Sequence, residues 1–143
     1  MKSFLNKIAG YVLIGVIFLY TTNIYAQNNN KMNEISATDL YNEFYNDNEA
    51  ALSKYGMKTV YISGISVKVG PDVYGLPSVE VAGSANESCK VLCVLPFTDY
   101  LKLRHVSKKD SVVLQGQVRG FSREHDLVVV KQCKIVTVNG KKP

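Results

Sequence analysis

Residues 58–70 read KTVYISGISVKVG, and this stretch decides the fold. Val60, Ile62, Ile65, Val67 and Val69 form a long run of β-branched residues at near-alternate positions, the pattern of a strand with one buried face. Gly64 interrupts the run. A glycine there marks a bend or bulge, which a strand needs to curve around a small barrel. Gly70-Pro71-Asp72 ends the run.

Downstream, residues 70–77 form a loop with Tyr74 near its tip, and Pro77 closes it. Ser78–Ala82 is a short strand, 83–88 a polar turn, and Cys89–Leu95 a strand with Cys89, Val91, Cys93 and Leu95 on one face. Pro96 stops it, and Phe97–Arg104 supplies one to two helical turns. Lys108-Lys109-Asp110 is a turn. Ser111–Val118 is a strand containing Gly116, Arg119–Asp126 a charged loop containing Phe121, and Leu127–Val138 the last strand. In that strand Val128 and Val130 alternate on one face, whereas Cys133 and Ile135 fall on the other. A bulge near Lys131-Gln132 reconciles them. Residues 139–143 read as a flexible polar tail.

Upstream, Leu40, Phe44, Ala51 and Tyr55 recur at helical spacing, with Ser36 and Asp39 as a start signal and Gly56 as a stop. The expectation is one amphipathic helix over 37–54. Before it, 27–35 is a polar, Asn-rich leader expected to be disordered. Residues 1–26 have the layout of a secretory signal: Lys2 and Lys7, an apolar run Ile8–Tyr20, then a polar stretch ending at Ala26. The run is 13 residues, shorter than the roughly 17–25 of a spanning helix. The expected product is an exported chain, periplasmic or secreted, with no stable membrane span after cleavage.

Cleavage leaves 117 of the 143 residues, enough for one domain. Removing Lys2 and Lys7 lowers the net charge from +5 to +3, a mild basicity that gives little support for a polyanionic partner. Five strands with a helix between the third and fourth is the connectivity of the OB-fold. The expected class is therefore mainly β: a five-stranded Greek-key barrel over 36–138, with an added N-terminal amphipathic helix.

Several stretches together resemble the tRNA_anti-like family of small bacterial proteins. They are the helix with Asn48-Glu49-Ala50-Ala51 and Lys54-Tyr55, then KTVYISGISVKVG, VLCVLPF, SVVLQGQVRGF and VVVKQCKI. The resemblance covers roughly 36–136. It implies an OB-fold with an extra N-terminal helix, in a family named for its likeness to anticodon-binding domains. It does not imply tRNA binding.

No catalytic signature stands out. The chain lacks a nucleophile elbow, a phosphate-cradling loop and a zinc-protease helix, so it reads as a non-enzyme without a cofactor. His105 and His125 have no partners at metal spacing, and Cys89-x-x-x-Cys93 lacks a second pair. Glu124-His125-Asp126 reads as a solvated hairpin tip. In the expected topology the strands carrying Cys93 and Cys133 run side by side. The pair is a candidate disulfide, and equally a pair of buried thiols.

OB-folds bind on the face of their second and third strands, flanked by two loops. Here those loops carry Tyr74, with Lys68 leading in, and Arg119, Phe121, Arg123 and His125. Cations beside an aromatic suit a sugar or a base; ordinary loop solvation is the competing reading. Neither Ser78–Ala82 nor Cys89–Leu95 contains a stacking ring, which argues against nucleic acid. The expectation is a monomeric binding module for a saccharide, a small molecule or an envelope protein, with single-stranded nucleic acid as the alternative.

Overall fold

The computed structural model describes residues 34–85 and 88–143. The expected signal segment, and the leader up to residue 33, lie outside the described residues. Glu34 and Ile35, also assigned to the leader, instead join Ser36 in a short strand β1 (Glu34–Ser36), which pairs parallel to residues 61–63. Glu34 and Ile35 are thus part of a strand rather than of a leader.

Ser36 ends β1 and caps helix α1 (Ala37–Asn46): its hydroxyl accepts the Asp39 N–H at 3.0 Å. The single helix expected over 37–54 is in fact two. Asp47 adopts an extended backbone (φ −149°), which ends α1, and its carboxylate accepts the Ala50 N–H at 3.0 Å, which starts α2 (Asn48–Tyr55). A short acidic side chain competes with the helical backbone for hydrogen bonds and favours such a cap. Glu43 ties the two helices together, accepting from Lys54 Nζ at 2.9 Å and the Tyr55 hydroxyl at 2.9 Å. The apolar stripe survives the break, because Leu40, Phe44 and Ala51 are all buried.

Five strands build the barrel: β2 (Thr59–Pro71), β3 (Pro77–Ala82), β4 (Lys90–Val94), β5 (Ser111–Ser122) and β6 (Leu127–Val138). A 3₁₀ helix (Phe97–His105) lies between β4 and β5. The order is β2-β3-β4-β6-β5, and a further β2–β5 pairing closes the sheet on itself. This is the OB-fold. Strand β2 serves two neighbours, pairing with β5 over residues 59–65 and with β3 over 65–71.

Gly64 sits at that handover. A Cβ there would lie 2.5 Å from the Ala82 carbonyl and 2.6 Å from Val81, so the residue permits close approach. The register shift itself falls later, between Ser66 and Lys68. The bulge near Lys131-Gln132 is present: Gln132 has φ +54°, and the β5–β6 register shifts between Gln115 and Gln117. Cys133 is thereby turned inward, fully buried.

Two loop readings change. Residues 119–122 continue β5, because Gly120 (φ +145°) carries the strand through another register shift. The β5–β6 hairpin turn is only residues 123–126. The tail is tied at its start: Asn139 accepts the Ser111 N–H at 3.0 Å and donates to Asp110 at 3.0 Å. That bond, with the Ser107 N–H, holds the Asp110 carboxyl below its ordinary value.

The core lies between the inward faces of the strands and helix α1. Leu40, Phe44, Ile62, Val79, Val91, Leu114, Val118 and Val128 are essentially inaccessible. Helix α1 packs against β2, β4 and β6, and α2 against β5. The α1–α2 elbow therefore lies beside the β5–β6 hairpin.

Candidate functional site

Tyr41 and Tyr45 lie one turn apart on α1, each one position beyond the core residues Leu40 and Phe44. Their rings stack with centroids 5.8 Å apart and planes 15° from parallel. Phe121, near the end of β5, meets both edge-on, at 5.6 Å from Tyr41 and 6.5 Å from Tyr45. Such offset and edge-to-face arrangements suit the ring quadrupoles. Tyr41 is buried, whereas Tyr45 is 66 % exposed. The cluster thus carries aromatic surface from the core out to solvent.

The Tyr41 hydroxyl donates to Asp126 at 2.7 Å. Burial, reinforced by this bond and the Asp126 charge, pushes the phenol up to about 12. Asp126 has φ +51°, a conformation Asp tolerates better than most residues. The bond pins the hairpin turn to the helix. The expected solvated tip is therefore structured at Asp126, while Glu124 and His125 remain exposed.

Around the rings is a cleft of about 360 Å³, lined by Phe44, Tyr45, Asn46, Asn48, Phe121, Arg123 and Asp126. That volume suits a small ligand. Asn46 and Asn48 are brought to it by the break at Asp47. Arg123 is exposed and forms no ion pair among the described residues.

Phe121 and Arg123 therefore share one cleft, with His125 two residues further along the turn. Arg119 leans the other way, its Nη1 donating to Met57 Sδ at 3.0 Å. Lys68 belongs to a different surface, 3.5 Å from Glu80, whose other oxygen lies 3.5 Å from Lys90. Glu80, Lys90 and Leu92 are partly exposed between the inward valines of β3 and β4, and they offer no ring. Tyr74 lies beyond the opposite end of β4. Lys90 pairs with Leu127 at the cleft end, and the Leu95 N–H bonds to Pro77 O at the other, roughly 16 Å away at ~3.3 Å per residue.

Sequence reasoning missed Tyr41, Tyr45, Asn46 and Asp126. The signal available was the doublet Leu40-Tyr41 repeated as Phe44-Tyr45, which places two tyrosines along the flank of the buried stripe.

Cys93 and Cys133 are fully buried. The neighbouring Cys133 thiol and burial push the Cys93 thiol well up. Cys133 donates to Val130 O at 3.5 Å, and Val130 is the register partner of Cys93. All three cysteines are present as thiols. Among the described residues no cluster of three or more His, Cys, Asp or Glu side chains is placed to hold a metal, and no helix is long and apolar enough to cross a membrane.

The closed barrel and its flanking cleft define an OB-fold scaffold with a pocket beside its last hairpin. The chain belongs to the tRNA_anti-like family, whose model matches residues 1–134. Among solved structures it is similar to a Klebsiella pneumoniae lipoprotein proposed to bind nucleic acid. The TM-score is 0.60 at 17 % identity, covering 74 % of this chain and 92 % of that one. It is also similar to an OBody bound to hen egg-white lysozyme, with TM-score 0.43 and 18 % identity, covering 63 % of this chain and 86 % of the other. No curated protein matches the chain.

Proposed function

We propose that the protein is an exported, non-enzymatic OB-fold module that binds a saccharide in the cleft between the α1–α2 elbow and the β5–β6 hairpin. One observation carries this reading. The Tyr45 ring is 66 % exposed yet held in place by Tyr41 and Phe121. A preordered ring presents apolar area at little entropic cost. The flat C–H face of a sugar packs on such a ring, and its hydroxyls suit the amides of Asn46 and Asn48 and the guanidinium of Arg123. Export is supported by the layout of residues 1–26. It would put the adjacent Cys93 and Cys133 in oxidising surroundings, where a bridge would leave Cys89 as the one thiol counted after denaturation.

The second reading is single-stranded nucleic acid, favoured by the description of the Klebsiella relative. The β3–β4 face supports it weakly: Lys68 and Lys90 share Glu80, and no ring stands between them. The two readings separate by titration. Soluble neutral oligosaccharides should perturb amide signals of residues 45–48 and 121–126, with little dependence on salt. Binding of a single-stranded oligonucleotide that weakens steeply with salt, through counterion release, would favour the second.

A further inference from the structure

The opposite end of the barrel carries an apolar patch that the cleft does not use. The β2–β3 loop turns on Asp72, whose carboxylate accepts the N–H groups of Tyr74 and Leu76, each at 2.8 Å. That turn leaves Val73 and Tyr74 projecting, 73 % and 86 % exposed. Beside the loop, Leu76 and Phe97 line one groove together with Lys131 and Lys134. The 3₁₀ helix extends the apolar surface: Phe97 and Leu101 are 70 % and 72 % exposed, and the Tyr100 ring lies 6.3 Å from that of Phe97. Contiguous apolar surface of this kind marks an interaction site.

Charge indicates the occupant. Asp99 is held by Lys102 at 2.9 Å, and Asp72 is engaged by the amides of its own loop. Lys131 and Lys134 are exposed and form no ion pair among the described residues. The patch is apolar at its centre and cationic at its rim.

We infer that this end of the barrel docks on an anionic phospholipid surface. Phe97, Leu101 and Tyr74 enter the boundary between headgroups and acyl chains, while Lys131 and Lys134 meet the phosphates. A bilayer fits better than a folded protein, because these side chains project from a loop tip and a helix and need no matching pocket. The proposal does not depend on what the cleft binds.

The chain contains no tryptophan, so one introduced tryptophan reports its own position. Full-length Phe97→Trp is mixed with vesicles of phosphatidylcholine, with or without phosphatidylglycerol, carrying brominated acyl chains. The expected result is a blue-shifted emission quenched on anionic vesicles, and loss of that quenching when Lys131→Glu and Lys134→Glu are added. Tyr45→Trp, at the other end, should stay unquenched. An unshifted Phe97→Trp reporter on anionic vesicles overturns the inference. So does equal quenching at both positions, as when residues 1–26 alone anchor the chain, or equal quenching on neutral vesicles.

Discussion

The bond from the Tyr41 hydroxyl to Asp126 joins groups 85 positions apart and has a measurable signature. The fold keeps the phenol neutral, so between pH 10 and about 12 the folded protein retains a proton that the unfolded chain has released. The associated stability is complete below pH 10 and is lost as pH rises toward 12. Tyrosinate absorbance should show one late-titrating phenol in the wild type, and Asp126→Asn should bring it back toward 10. Tyr41→Phe should cost about 1 kcal/mol in denaturant unfolding, the net worth of a hydrogen bond whose acceptor is exposed. Cysteine reactivity also sorts by burial: in the native protein a thiol reagent should label Cys89 well ahead of Cys93 and Cys133. These residue-scale features were poorly legible in the sequence. Phe121 and Arg123, which line the cleft, stand out in the sequence because a charged loop holds one aromatic. Tyr41, Tyr45 and Asp126 do not, because their pairing is made only when the hairpin folds over the helix.

The α1–α2 elbow is the element that makes the cleft. Asp47 caps α2, and Asp47→Ala should lower stability by about 1 kcal/mol while disturbing the amide signals of Asn46 and Asn48. The strand pattern was legible because β-branched alternation reports a buried face directly. The bulge at Gln132 was legible from broken parity, since Val130 and Cys133 both had to face inward. The helix break was not, because Leu40, Phe44 and Ala51 keep one face across it and periodicity is blind to a cap in between. Gly120 similarly hid the last residues of β5, since a glycine amid charges reads as a loop. Gly116 has the opposite character: a Cβ there would lie 2.6 Å from Cys133 Sγ and 2.7 Å from Val130. Gly116→Ala should therefore destabilise by about 1–3 kcal/mol through overpacking, readable as a lowered unfolding midpoint.

Across the whole molecule, the barrel separates two surfaces of different chemistry. One end has stacked rings with amides and a guanidinium, the other projecting apolar side chains with lysines; among the described residues neither Arg123 nor Lys131 and Lys134 forms an ion pair. With the second face on a bilayer, the cleft would face away from it, open to a soluble or surface-borne glycan. If the cleft is the binding site, ligand packs on Tyr45, whose exposed ring can be removed without opening the core. Titration calorimetry with soluble oligosaccharides should show binding to the wild type and about tenfold or greater weakening in Tyr45→Ala, a loss of about 1.4 kcal/mol or more. Undiminished affinity in a folded Tyr45→Ala protein, or no saccharide binding by the wild type, would rule out the cleft as a saccharide site.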